Sequence, residues 1–141
     1  MRQFIVCLVS MAACSAERDI GPEPVTEIVW FDGDSGAING VDFRLADVDA
    51  PETGPLKSRG GAQCENERAR GFAAKKFMMD ATSSASIRIT QSIGADRYDR
   101  EIIRIEVNGE DLAQLGVSAG HLAPWPHRGS KALKAKPDWC K

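Results

Sequence analysis

The sequence lacks the excess of basic residues that a protein coating nucleic acid tightly and without specificity would carry. Its 141 residues contain 18 Lys and Arg against 20 Asp and Glu, which gives a formal net charge of −2. Phosphate neutralisation supplies much of the affinity of such coats, so this balance argues against one. It does not exclude a protein that concentrates a few arginines in one cleft.

Two other features are missing from the chain. Cysteine and histidine do not occur at the spacing of a metal site, so we expect His121 and His127 to be ordinary surface or capping residues. No internal repeat is present. With 43% hydrophobic and 27% charged residues, the composition is that of one soluble globular domain with a single modest core.

The first residues predict an export signal rather than part of a fold. An uncharged apolar run, Phe4–Ala13, follows Arg2 and is too short to span a bilayer as a stable anchor. It ends in MAAC, which resembles the lipobox of bacterial lipoproteins and makes Cys14 a candidate lipidation site. The main alternative is an ordinary signal peptide cleaved after a small residue such as Ala16, and a cytoplasmic start is the remaining one. We therefore expect export, either to a lipid-anchored position in the periplasm or envelope or as a secreted protein.

Export also affects the interpretation of the other cysteines. Cys7 lies in the predicted signal peptide (residues 1–14), which leaves Cys64 and Cys140 in the domain. Two cysteines in an oxidising compartment predict one disulfide, the alternative being two unpaired thiols. Closing so long a loop would stabilise the fold by roughly 4 kcal/mol in the chain-entropy model.

A polar, proline-containing tether (residues 15–24) precedes a predicted domain over residues 25–141. Residue patterns within it predict three strands, a helix, two strands and a second helix, with Asn39-Gly40 as a hairpin turn. The predicted strands are 25–31, 37–38, 41–45, 86–90 and 103–107, and the predicted helices are 64–81 and 111–119. In the first helix, Ala69, Phe72, Ala73 and Phe77 recur at helical spacing. The order suits a mainly β, α+β fold: a five-stranded OB-type Greek-key β-barrel with two to three helices.

Three clusters carry the candidate chemistry: Asp32-Gly33-Asp34-Ser35, residues 43–52 (FRLADVDAPE) and residues 96–100 (DRYDR). Singly, each has a simpler interpretation as a turn, a strand end or a surface loop with ion pairs. The first is not an EF-hand, because Gly36 takes the next alternate position and no Glu closes a twelve-residue loop. Independent accidents would rarely give all three clusters in this order.

Together with Gly109–Leu112 (GEDL), the clusters resemble the staphylococcal nuclease (thermonuclease) family over residues 25–123. That family has Asp-Gly-Asp-Thr, then Arg-Leu with Asp-(Ala/Thr)-Pro-Glu, then Asp-(Arg/Lys)-Tyr-Gly-Arg and Gly-x-Asp-Leu. The resemblance implies a calcium-dependent endonuclease, a hydrolase that cuts DNA and/or RNA with low sequence specificity and leaves 3′-phosphate ends. We expect a monomer acting on single-stranded nucleic acid. The alternative is a non-catalytic OB module of the envelope that binds nucleic acid or a protein.

The resemblance also implies a metal centre built from matching residues. Asp34 and Asp49 would be carboxylate ligands of Ca²⁺, with the backbone carbonyl of Ala50 as a neutral oxygen ligand. Such hard oxygen ligands suit calcium and leave room for water and a phosphate. Glu52 would position or deprotonate the attacking water.

The matching arginines, Arg44 and Arg100, would hold the scissile phosphate from two sides. Arginine presents a planar fork to phosphate oxygens and keeps its charge. Four further residues are candidates for phosphate contact, with solvated loop charges as the alternative for the basic ones: Tyr98, Arg97, Lys57 and Arg59. Trp125 could stack on a base or cover the end of the barrel.

Four positions depart from the family pattern. Ser35 replaces the threonine of the first motif and keeps its hydroxyl, which should matter little. Asp99 replaces the glycine before Arg100, where a positive φ would cost some energy, and we expect slower turnover. Asp47 adds a carboxylate that could strengthen metal attraction or repel phosphate. Gly116 is expected to weaken the second helix by roughly 1 kcal/mol relative to Ala.

Overall fold

The computed structural model describes residues 24–141, so the predicted signal peptide and Cys14 lie outside the described residues. The elements, in chain order, are β1 (Ile28–Trp30), β2 (Ser35–Ile38), β3 (Val41–Leu45), β4 (Val48–Asp49), α1 (Glu65–Thr82), β5 (Ile87–Ala95), β6 (Glu101–Val107), β7 (Glu110–Asp111), α2 (Leu112–Ser118), β8 (Ala123–Pro124), β9 (His127–Arg128) and β10 (Lys131–Ala132). Neither helix in this part of the chain is long and apolar enough to cross a membrane.

The principal strands form one sheet in the order β1-β2-β3-β6-β5, with β7 also paired to β6. The hairpins are antiparallel, whereas β3 and β6 run parallel with Arg44 opposite Ile102. A parallel pair needs a long crossover, and here the crossover contains α1 and β5. This arrangement confirms the predicted α+β fold of OB type.

The hairpin turn at Asn39-Gly40 is confirmed. Both residues have positive φ, 48° and 80°, as a type I′ turn requires. The Asn39 side chain also accepts hydrogen bonds from the backbone N–H groups of Thr26 and Glu27. Because these groups bond a side chain, the first strand begins only at Ile28 and is shorter than predicted.

The core lies between the sheet and the two helices. Alternate residues of β3 and β6 point into it, and Trp30 meets Phe43 edge-on at 5.2 Å between ring centroids. The Trp30 indole N–H donates to Thr82 of α1 at 3.1 Å. The most deeply buried apolar side chains include Phe43, Leu45, Met78, Ile103, Ile105 and Leu112.

The predicted helix 64–81 is present, but the predicted apolar face is wrong. The buried residues of α1 are Glu67, Gly71, Ala74, Met78 and Thr82, whereas Phe72 is 51% exposed. The helical period is retained, but the buried face is displaced around the axis. Small residues lie on that face because α1 packs closely against the loop after β4.

The expected weakening of α2 by Gly116 overlooks its packing. A Cβ atom there would lie 2.7 Å from both Leu122 Cδ1 and Met78 Cε. Glycine therefore lets α2 approach α1 more closely than alanine would allow, so its lower helix propensity is offset by the contact it permits.

The predicted Cys64–Cys140 disulfide is present, with the two Cα atoms 6.0 Å apart. Cys64 is the N-cap of α1. The bond therefore attaches residues 134–141, here called the C-terminal segment, to the beginning of the long helix. Through this attachment the segment reaches the loop that follows β4.

Candidate active site

Asp34 is directed inward by a turn that Asp32 organises. The Oδ1 atom of Asp32 accepts hydrogen bonds from the backbone N–H groups of Asp34, at 3.0 Å, and Ser35, at 2.8 Å. A short acidic side chain commonly closes a turn in this way. The result is a buried Asp34 carboxylate, whose Oδ2 accepts the backbone N–H of Ala50 at 3.1 Å.

A single arginine lies between the two predicted carboxylate ligands. Arg44 Nη2 is 3.1 Å from Asp34 Oδ2 and 3.9 Å from Asp49 Oδ1. Arg44 comes from β3 and Asp49 from β4, two strands that follow each other directly in the chain. The structure therefore brings Asp34, Arg44, Asp49 and Ala50 together, as the sequence motifs predict.

Burial gives this pair of carboxylates unusual electrostatics. It raises the pKa of Asp34 well above its usual value; the negative charges of Asp32 and Asp49 add to the rise, and Arg44 opposes it. Burial also raises the pKa of Asp49, against the hydrogen bond from Trp139 and the charges of Lys136 and Arg44. Two buried carboxylates that lie beside the same arginine favour an additional cation nearby.

The donor atoms fit calcium in type. Carboxylate and carbonyl oxygens are the hard ligands that Ca²⁺ prefers, and Asp34, Asp49 and Ala50 supply them. No group of three or more His, Cys, Asp or Glu side chains in residues 24–141 could by itself hold a metal ion. The protein ligands would thus be two carboxylates and a backbone carbonyl, with water or phosphate completing the shell.

Glu52 lies in the loop between β4 and α1, and α1 packs directly against the backbone of that loop. Gly71 makes this possible, because a Cβ there would lie 2.5 Å from the Glu52 carbonyl oxygen and 2.8 Å from that of Pro51. The backbone N–H of Glu52 donates to Glu67 Oε1 at 3.4 Å. The loop position of Glu52 is thus fixed by residues of α1.

The role of Glu67 was not predicted from the sequence. It is buried in the first turn of α1, and its Oε2 accepts the backbone N–H of Gln63 at 2.6 Å. The available signal was its position three residues after the N-cap Cys64, where a Glu side chain often reaches back to backbone donors. Here the Glu67 carboxylate accepts hydrogen bonds from the backbone of Gln63, just before α1, and from the backbone of Glu52.

Arg100 lies just before β6, two residues from Ile102, the register partner of Arg44. Its Nε and Nη2 atoms donate to Asp96 Oδ2 at 2.9 and 2.7 Å. Asp99 has a φ of 62°, so the turn requires the positive φ that the family's glycine adopts easily. Asp99 reaches this region at some cost.

Tyr98 and Arg97 form an exposed group beside Arg100. The guanidinium carbons of Arg97 and Arg100 lie 4.7 and 5.4 Å from the Tyr98 ring centroid. Lys57 and Arg59 lie in the exposed loop between Glu52 and α1. In the described residues, these two do not contact Asp34 or Asp49.

Asp47 is held away from the ligand pair. Its carboxylate forms a salt bridge with Arg104 and accepts the backbone N–H of His127 at 2.9 Å. With its carboxylate used in these contacts, Asp47 has a structural role between β6 and the β8–β9 region. Trp125 lies over the Arg44 guanidinium, 5.3 Å from ring centroid to carbon.

Two residues of the C-terminal segment also lie in the site, and neither was predicted from the sequence. Lys136 Nζ is 2.9 Å from Glu52 Oε1 and 3.6 Å from Asp49 Oδ1. The Trp139 indole N–H donates to Asp49 Oδ2 at 2.8 Å. Burial alone would lower the pKa of Lys136, but the hydrogen bond to Glu52 and the charges of Asp49 and Glu52 raise it.

Comparison with protein-family models matches residues 42–134 to a family described as staphylococcal nuclease homologue. A comparison with curated proteins gave no match. The matched range contains Arg44, Asp49, Glu52 and Arg100. Asp34 precedes it, and Lys136 follows it.

Proposed function

The chain belongs to the staphylococcal nuclease homologue family, and we propose that it is a calcium-dependent endonuclease that hydrolyses phosphodiester bonds of DNA and RNA. The observation that carries this proposal is the position of Arg44 within 4 Å of two buried carboxylates, Asp34 and Asp49. Glu52 lies in the loop that directly follows Asp49. A cation, a phosphate-binding group and a base are the components that this reaction needs.

In this proposal Asp34, Asp49 and the carbonyl of Ala50 would hold the calcium ion. Bound there, it would act as a Lewis acid toward a phosphate oxygen and lower the pKa of a water molecule. Burial of Asp34 and Asp49 supports this assignment, because a divalent cation offsets the charge that burial disfavours. The nearby Arg44 offsets that charge only in part.

Arg44 and Arg100 stabilise the negative charge that develops on the non-bridging phosphate oxygens. Each is already oriented by a carboxylate, Arg44 by Asp34 and Arg100 by Asp96. Orientation before substrate binding lowers the reorganisation needed during reaction. Contacts to phosphate carry no sequence information, so low sequence specificity follows.

Glu52 accepts the proton of the attacking water. The contacts of its backbone with Glu67 and Gly71 fix the loop, which supports a role that depends on geometry. Tyr98 and Arg97, which lie beside Arg100, are the residues that we propose contact a neighbouring phosphate.

The test is an assay of cleavage and binding on single-stranded DNA and RNA, in calcium and in chelator. We expect cleavage in calcium alone, with 3′-phosphate ends. Replacing Arg100→Ala should abolish most cleavage while the fold persists. Binding without cleavage by the folded, calcium-loaded protein would favour the non-catalytic OB module instead.

We also propose that the chain is exported, with residues 1–14 as a signal peptide and Cys14 as the lipidation site. The Cys64–Cys140 disulfide supports an oxidising compartment. Mass spectrometry of protein extracted from membranes should find a diacylglyceryl adduct on Cys14. An unmodified chain beginning after Ala16 would instead indicate ordinary secretion.

A further inference from the structure

Two residues of the C-terminal segment contact the Asp49 carboxylate, one at each oxygen. Lys136 Nζ lies 3.6 Å from Oδ1, and the Trp139 indole N–H donates to Oδ2 at 2.8 Å. The same Lys136 ammonium is 2.9 Å from Glu52 Oε1. One lysine therefore connects a predicted metal ligand with the predicted base.

This position is stabilised by contacts to α1 and does not depend on the lysine alone. Cys140 is bonded to Cys64, the N-cap of the helix. Asn66 and Arg70 donate to the backbone carbonyl of Trp139 at 3.5 and 3.3 Å. With Cys140 fixed only four residues later, Lys136 stays near the carboxylates even if its own ion pairs open.

The contact also differs from an ordinary surface ion pair. The Asp49 side chain is only 3% exposed, whereas Lys136 is 45% exposed. In the surface pair Lys76–Asp80 of α1, both side chains are more than half exposed. Water screens the Asp49–Lys136 pair less than the surface pair. The exposed ammonium can nevertheless move into solvent without unfolding the protein.

We propose that Lys136 is an internal counter-ion that competes with the divalent cation for Asp49. The disulfide-anchored segment thereby sets the affinity for calcium. This inference rests on the proposed calcium site. Lys136 and Arg44 would both repel a calcium ion at Asp49, but Arg44 is bonded to Asp34 and only 14% exposed, whereas Lys136 is 45% exposed. Calcium binding therefore moves the Lys136 ammonium away from Asp49, and this competition weakens the apparent affinity.

The test is calorimetric titration of calcium into the disulfide-bonded protein, comparing the wild type with Lys136→Met and Lys136→Arg. Removing the competing charge should lower the dissociation constant about tenfold or more, given the short range of the interaction. Lys136→Arg keeps a positive charge and should stay close to the wild type. The control is Lys134→Met, an exposed lysine of the same segment, which should leave the constant unchanged.

An unchanged or weaker calcium affinity in Lys136→Met would overturn the inference while leaving the calcium site intact. Absence of calcium binding by both wild type and Lys136→Met, with folding verified by circular dichroism, would overturn the site and the inference together. The double variant Cys64→Ser/Cys140→Ser tests the anchor. The calcium dissociation constant of this double variant should also be lower than that of the wild type, as for Lys136→Met. An unchanged constant would overturn the role of the disulfide.

Discussion

Trp139 donates its indole N–H to Asp49 Oδ2 at 2.8 Å, although 90 residues separate them in the chain. The bond joins the C-terminal segment to a buried carboxylate of the candidate active site. It fixes the orientation of Asp49, and it supplies a donor where an unpaired buried charge would be costly.

Replacing Trp139→Phe keeps an aromatic ring and removes this donor. We expect a loss of about 1.5–3 kcal/mol in the free energy of unfolding, the usual range for a hydrogen bond to a charged group. Urea titration of the disulfide-bonded protein measures it. The control is Trp125→Phe, whose indole N–H donates to the Lys134 carbonyl at an exposed position and should cost less. Equal losses in the two variants would contradict the special role of the Asp49 contact.

Removing the disulfide should cost much more. The bond closes a sequence separation of 76 residues, for which the chain-entropy model gives about 4 kcal/mol. We expect Cys64→Ser/Cys140→Ser to lose about that much stability in denaturant titration. A loss well below 1 kcal/mol would mean that the C-terminal segment stays ordered without its anchor or contributes little to the fold.

The sequence predicted the site residues that are close together in the chain and missed those that come from a distant segment. Arg44, Asp49 and Glu52 lie within one short segment, so their proximity follows from the motif. Lys136 and Trp139 reach the same carboxylates only because the disulfide returns the chain to α1. No local pattern encodes that path, even though the disulfide itself was predictable from composition.

Gly71 tests how closely α1 must approach the loop of Glu52. A methyl group added by Gly71→Ala would meet backbone atoms of Glu52 and Pro51, which cannot rotate away as a side chain could. We expect a loss of about 1–3 kcal/mol from overpacking, despite the higher helix propensity of alanine. Cleavage should fall as well, because the loop moves.

The matched control is Ala73→Gly on the exposed face of the same helix. It should cost about 1 kcal/mol through helix propensity alone and leave cleavage unchanged. A Gly71→Ala variant that is more stable than the wild type in thermal unfolding would contradict the close contact between α1 and the Glu52 loop.

The Asp96–Arg100 pair should make stability depend on acid pH. Burial alone would raise the pKa of Asp96, but the hydrogen bonds from Arg100 and from the backbone N–H of Tyr98 hold it below its usual value of 3.8. A carboxylate with a depressed pKa stabilises the fold above 3.8, and the contribution is lost as the pH falls through the folded-state pKa.

We therefore expect Asp96→Asn to be less stable than the wild type by about 1–3 kcal/mol at pH 7. The difference should shrink as the pH falls below 3.8. Denaturant midpoints at several pH values measure it. Asp80→Asn, which removes an exposed pair with Lys76, should cost less than about 0.5 kcal/mol. A difference for Asp96→Asn that did not change with pH would contradict the assignment.

The error in the α1 face has a simple physical origin. Hydrophobic spacing selected Phe72 and Phe77, yet the close contacts of α1 involve Gly71 against the Glu52 loop and Ala74 near Gly33. Small residues carry little hydrophobic signal, so the pattern pointed to a neighbouring face. Asp47 lies only two residues from Asp49, so its carboxylate was considered as one that could attract the metal or repel phosphate. It lies in the turn between β3 and β4 with a φ of 61°, and its carboxylate forms a salt bridge with Arg104 of β6.

The most direct test of the central claim is the initial rate of single-stranded DNA cleavage in calcium by Glu52→Gln. Its matched control is Glu65→Gln, an exposed acid in the first turn of α1. The two variants should first be shown to have the same denaturant midpoint of unfolding. Glu52→Gln should then cut about 10²–10⁴-fold more slowly than the wild type, whereas Glu65→Gln should cut at the wild-type rate. A Glu52→Gln rate equal to that of the wild type would contradict the assignment of Glu52 as the base of a calcium-dependent nuclease.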